Sequence, residues 1–215
     1  VTTNKHFSKR DIDALPQRFR ANFINCLSGF KSANLVGTQN AEGHLNLAVI
    51  SSVVHLGANP PLLGMIMRPH TVRRDTIENI TATGVYTINH IASDWVDKAH
   101  QTSARYEADE SEFDTVGLTP EYLSDFAAPF VQQSPIKLGM RFVESVPITH
   151  NDTTLLIGEI QHVLLPESAV TEDGHVDLNR CDIACISGLD NYHKPQHIAR
   201  YSYAKPDKSL EKLLP

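Results

Sequence analysis

"SPIKLGMRFVESVPIT", Ser134 to Thr149, and "TTLLIGEIQHVLLP", Thr153 to Pro166, are separated only by His150, Asn151 and Asp152. Each run reads as a long strand, and the polar residues between them read as a hairpin connection. Upstream, "KSANLVGT" (Lys31–Thr38) reads as a strand and "QNAEG" supplies turn residues. "HLNLAVISSVV" (His44–Val54) reads as one longer strand, apolar with small hydroxyl residues in its second half. "HLGANPP" is expected to be a loop, because two prolines and a glycine oppose regular pairing. "LLGMIM" (Leu62–Met67) has the unbroken apolarity of a strand buried on both faces, and "GVYTINHI" is a further strand.

Helical patterns are fewer. Ser8 to Phe19 forms a first helix or pair of turns interrupted by Pro16, and a helix is expected from about Asp75 to Thr81. "SDWVDKAHQTSARYE" reads as another, with an Asp/Ser start. "ADESEFDTVGLTPEYLSDF" reads as an irregular acidic excursion on the surface, and "HIARYSYA" as a last short strand. Strands do not alternate with helices as in a parallel βαβ array. The expected fold is therefore mainly β: a closed or partly closed antiparallel barrel with a few peripheral helices. One domain spans 1–215, with an N-terminal helical extension over about 1–28 and a C-terminal tail over about 204–215.

The 215 residues carry a formal charge of -6, and 41% of them are hydrophobic, an ordinary composition for one folded domain. The acidic balance argues against a nucleic-acid surface, which needs a basic face. No run reaches the ~18 apolar residues of a membrane helix, and the polar N-terminus lacks the apolar centre of a signal peptide. With three cysteines, Cys26, Cys181 and Cys185, the chain is expected to hold buried reduced thiols in the cytoplasm. The eleven histidines show no H-E-x-x-H, and Pro195 breaks the spacing of His193 and His197, so no metal is expected.

One acidic-protein anomaly stands out. In "GMIMRPHTVRRDTIENI" (Gly64–Ile80), Arg68, Arg73 and Arg74 gather with Thr71 and Thr76 where a helix begins. A helix start exposes unpaired N–H groups and partial positive charge, so a phosphate docked there gains several hydrogen bonds. Arginine adds a planar fork matched to phosphate oxygens, and threonine adds hydroxyls. The alternative is a capping box, Asp75 followed three residues later by Glu78, which needs no ligand. No G-x-G-x-x-G after a strand and no P-loop motif occurs, so any nucleotide phosphate is held without those turns.

The ordered pieces "NLAVISSVVHLGANPPLLGMIMRPHTVRRDTIENITATGVYTINH", with "AHQTSARYEADESEFDTVGL" and "SGLDNY" further on, resemble the flavin reductase-like family with an FMN-binding split β-barrel. The resemblance covers most of Lys31 to Tyr192. It implies a homodimeric barrel binding FMN near the subunit interface, with NAD(P)H as electron donor and FAD as a further candidate flavin. By position, Arg74 and Thr76 match the element holding the FMN phosphate, supported by Arg73 and Arg68. Ile50, Ser51 and Ser52 match the segment lining the isoalloxazine edge. His100, Thr102 and Ser103 lie on the segment that resembles the family's cover. One hypothesis has them hydrogen-bond the flavin's pyrimidine edge or a substrate; the other is a plain surface helix. Trp95 at helical spacing with Ile91 and Ala99 reads as core, and Tyr192 as a candidate stacking aromatic. The implied activity is flavin reduction by NAD(P)H, which needs no nucleophile or metal because the cofactor carries the hydride. A non-enzymatic FMN-binding module and a cofactor-free dimeric scaffold are the competing readings; the arginine-threonine helix start counts against the scaffold.

Overall fold

The computed structural model describes residues 3–69, 74–107 and 110–213. Helices α1 (Lys9–Ala14) and α2 (Gln17–Leu27) come first, then β1 (Lys31–Ser32), β2 (Asn34–Gln39), β3 (Leu45–Ile50), β4 (Val53–Ala58) and β5 (Pro61–Met67). Next come α3 (Asp75–Thr83), β6 (Val85–His90), α4 (Val96–Gln101), α5 (Glu112–Val116), β7 (Pro120–Leu123) and β8 (Phe126–Val131). The long strands β9 (Lys137–Ile148) and β10 (Thr153–Leu164) precede the short β11 (Cys185–Ser187) and β12 (Asn191–His193).

Seven strands form one antiparallel sheet in the order β3-β2-β6-β9-β10-β5-β4. Its two edge strands, β3 and β4, are consecutive in the chain and separated only by Ser51 and Ser52. A sheet whose outermost strands are joined by two residues has to curl until its edges meet. Among the described residues β3 and β4 share no ladder, so the barrel remains split at that seam. The mainly antiparallel barrel with peripheral helices is thus as expected.

Alternation along the strands divides the apolar residues between the two faces. Val36, Met65, Ile80, Tyr86, Ile88, Met140 and Leu156 pack on the face covered by α3. Leu35, Leu47, Ile91, Trp95, Phe113 and Val131 pack on the other, with α4 and α5. Gly84 ends α3 in the left-handed conformation, φ 76°, where a side chain would be strained. Gly37 on β2 serves a close approach: a Cβ there would sit 2.3 Å from the Pro129 carbonyl oxygen.

Four expectations need correction. The strand expected over His44–Val54 is two strands, because Ser52 turns its hydroxyl onto Ile66 of β5, donating to the carbonyl at 3.0 Å and accepting the N–H at 3.1 Å. The expected loop at His55–Pro61 is mostly strand β4, with a two-residue turn at Asn59 and Pro60; Pro61 opens β5, where a missing N–H is tolerated. The acidic segment after Ala108 is not irregular: Phe113 and Val116 of α5 are buried, and β7 and β8 form a hairpin. Cys26 is exposed, since α2 buries none of its residues, whereas Cys181 is buried and Cys185 half-buried; all three are free thiols.

Among the described residues no helix is long and apolar enough to cross a membrane.

Candidate functional site

The seam opens into a cavity of about 740 Å³. One wall is the even face of β3, with Asn46, Ala48 and Ile50, continuing through Ser51 and Ser52. The end of β5 brings Ile66, Met67 and Arg68, and the start of α3 brings Arg74, Asp75 and Thr76. The opposite wall is the stretch Thr102–Glu107 after α4, joined by Glu112 from α5.

Local sequence explains the α3 corner. Arg74 is the N-cap, one residue earlier than the Asp75 start that the capping-box reading used. Its backbone N–H donates to Glu78 Oε1 at 3.3 Å, and its Nε donates to the Pro69 carbonyl at 3.2 Å, which ties the side chain to the end of β5. Thr76, the second residue of the helix, is buried. Asn46 Nδ2 donates to Thr76 Oγ1 at 3.1 Å and to Thr38 Oγ1 at 3.0 Å, while Asn79 Nδ2 donates to Thr38 Oγ1 at 3.1 Å. This network fastens the helix start to β2 and β3. Because Thr76 accepts from Asn46, its hydroxyl proton is left to donate, and among the described residues it has no acceptor.

Glu112 reaches the site from a distant part of the chain. Its Oε2 accepts the N–H of Leu47 at 2.9 Å, filling a position on edge strand β3 that no neighbouring strand pairs. Burial pushes its carboxyl above the usual range, hydrogen bonds from the Leu47 N–H and its own backbone N–H oppose that, and the charge of Asp75 adds to the rise.

The structure brings Ile50, Ser51, Ser52, Arg68, Arg74, Thr76 and Ser103 to this one cavity. Ser52 spends its hydroxyl on Ile66, so it shapes the corner as well as lining it. Arg73 and Thr71 lie outside the described residues. His100 is not brought to the cavity: its Nδ1 lies 3.2 Å from Tyr192 Oη, the two rings packed edge to face. The reason is helical geometry, since Thr102 and Ser103 follow the end of α4 while His100 is still on its last turn, facing β12. Tyr192 is held by that contact and by the apolar cluster around Leu35 and Trp95. Asn46, Arg105, Tyr106 and Glu112 line the site without having been anticipated. For Glu112 a signal existed: Phe113 and Val116 at helical spacing, then Gly117, mark a short amphipathic turn.

The flavin reductase-like domain family matches residues 28–180. A split-barrel protein of Shewanella frigidimarina NCIMB 400, provisionally assigned as a flavin reductase, is 55% identical and superposes with a TM-score of 0.90 over 94% of this chain and 100% of its own. Component B of nitrilotriacetate monooxygenase from Bacillus cereus is similar in fold, with 21% identity and a TM-score of 0.82 over 92% of this chain and 100% of its own. So is 2-nitrobenzoate 2-nitroreductase of Pseudomonas fluorescens, with 19% identity and a TM-score of 0.79 over 95% of this chain and 99% of its own. A family match over most of the chain, on a split antiparallel barrel with a cavity at its seam, leads to one conclusion: the chain belongs to the flavin reductase-like domain family and is an oxidoreductase of that type.

Proposed function

We propose that the protein is an NAD(P)H-dependent flavin reductase that holds FMN in the seam cavity. The carrying observation is the convergence, in one cavity of about 740 Å³, of a guanidinium and a free hydroxyl proton at a helix start with an apolar strand wall. That volume is in the range of about 300–1,000 Å³ used for small ligands. The donor set suits a phosphomonoester: Arg74 supplies charge-assisted hydrogen bonds, Thr76 donates its hydroxyl, and the first turn of α3 adds N–H groups and the positive end of its dipole. Asp75 in the same turn limits the net positive charge, so the seat suits one phosphate rather than a polyanion.

In this reading Ile50 offers an apolar surface for a flat ring, and the corner at Ser51 and Ser52 presents backbone groups that the ladder has released. Thr102 to Glu107 shields the opposite side, with Ser103 as a donor there, so that water is excluded from the ring. FMN held here would supply the hydride-accepting chemistry toward a reduced nicotinamide, and the chain's task would be to bind, orient and keep the site dry. No side chain has to act as nucleophile. FAD is a further flavin to test. The homodimer and the cytoplasmic setting implied by the family resemblance belong to the same proposal.

The test uses the purified protein with added FMN, followed by anaerobic addition of NADH or NADPH. The expected result is saturable quenching of flavin fluorescence, then loss of the oxidised-flavin absorbance. Failure to bind FMN, or binding without bleaching by either nucleotide, overturns the proposal.

A further inference from the structure

The phosphate seat has an acidic neighbour. Asn46 and Leu47 are consecutive on β3: the first donates to Thr76 Oγ1 at 3.1 Å, and the second donates its N–H to Glu112 Oε2 at 2.9 Å. Glu112 therefore stands beside the corner where Arg74 and Thr76 converge, on the wall of the same cavity. Only one of its carboxylate oxygens is engaged by the sheet edge, and the group is half-buried.

The groups around it are mixed in sign. From α3 come Asp75 and Arg74, from the end of β5 Arg68, and from the opposite wall Arg105, Tyr106 and Glu107. β3 presents no titratable side chain at this point. On α4, Lys98 is directed to the Gly117 carbonyl and His100 to Tyr192. A phosphate dianion arriving here adds negative charge next to a carboxylate that already feels burial and Asp75.

We propose that Glu112 is a recognition residue for the phosphate end of the flavin, taking up one proton from solvent on the oxygen not held by Leu47 when a phosphomonoester docks at Arg74 and Thr76. This rests on the phosphate seat of the proposed function. No other bond changes: a solvent proton becomes a carboxyl O–H, and the neutral acid can donate to a phosphate oxygen that its anion would repel. Flavin with a phosphate is then favoured at lower pH, and riboflavin, which lacks one, is not. The sign follows from linkage, since a ligand that binds the protonated form better gains affinity as pH falls, by at most about tenfold per pH unit for one proton. The window lies above the ordinary carboxylate range, because the carboxyl is already raised before any ligand arrives.

The test is calorimetric titration of wild type with FMN and with riboflavin between about pH 5 and about pH 8, in buffers of different ionisation enthalpy. Glu112→Gln is the comparison; it keeps an oxygen for the Leu47 N–H and mimics the protonated acid. The expected result is proton uptake with FMN in wild type beyond that in Glu112→Gln, tighter FMN binding by the variant at the alkaline end, and no difference between the two proteins with riboflavin. Equal proton uptake with FMN in both proteins overturns the proposal. If Glu112→Gln does not fold, glutamate carboxyl-carbon NMR of labelled wild type decides: one resonance moving toward the protonated position on FMN addition supports it, and none moving overturns it. Loss of FMN binding altogether in wild type is a different result, and it overturns the flavin site itself.

Discussion

Two networks of threonine and asparagine lie on opposite faces of β2 and its neighbours, and they do different work. On the face toward β8, Asn89 Nδ2 donates to the Leu35 carbonyl at 3.1 Å and to Thr87 Oγ1 at 2.8 Å, and its Oδ1 accepts the Val131 N–H at 2.9 Å. Thr87 donates to the Pro129 carbonyl at 2.6 Å. Both residues are fully buried and their bonding is complete. On the face toward α3, the Thr38, Asn46, Thr76 and Asn79 network is nearly as buried at Thr38 and Thr76, yet among the described residues the hydroxyl protons of both threonines have no acceptor, and Thr76 lines the cavity. The same residue types make a staple where every group is paired and a recognition surface where a hydroxyl proton at the cavity wall is left over. Residue identity does not separate the two; saturation does.

The sharpest way to break this contrast is Asn89→Ala. It strands the Val131 N–H in the core and takes a second hydrogen bond from the Leu35 carbonyl, and at about 1–3 kcal/mol for an unsatisfied buried group the loss should be about 3 kcal/mol. Urea unfolding measures it, and FMN affinity per folded molecule should be unchanged. Next comes the double change Arg74→Ala with Thr76→Ala, expected to weaken FMN binding by about 3 kcal/mol because charge-assisted contacts are removed. Fluorescence titration reads it, and a variant that binds FMN as wild type does would remove the phosphate assignment.

A third test exploits the neighbour of Asn89 on β6. His90 points to the other face, and its buried Nδ1 has no hydrogen-bond partner among the described residues. Burial lowers its pKa from 6.5 to about 4. The unfolded chain then binds a proton that the folded chain refuses, so stability is full above the unfolded value and falls as pH drops toward the folded one. At about pH 5 the loss should be about 2 kcal/mol, seen as a falling urea midpoint that His90→Leu flattens. The smallest effect is expected at Arg141 and Glu159, paired across β9 and β10 on the open surface, where the Arg141 side chain is 55% exposed. Arg141→Ala should cost less than about 1 kcal/mol and leave flavin affinity unchanged, which separates the surface from both networks.

Sequence by itself determined the elements whose signals are local. The long β9–β10 hairpin, the helix after Arg74 and the strand ending at His90 all follow from apolar runs, turn residues and caps within a few positions of one another. The pairing of Arg74 with Thr76 at a helix start was legible for the same reason. Tertiary structure alone decided what depends on distant partners. The break at Ser51 and Ser52 exists because Ile66, 14 residues on, offers its backbone to a serine hydroxyl. Glu112 belongs to the cavity because Leu47, 65 residues away, presents an unpaired edge N–H. His100 left the site because Tyr192 captured it, 92 residues along. Periodicity reports which side of an element is apolar, but a cavity wall is set by which polar groups remain unpaired after the strands have met, and no window of sequence contains both partners.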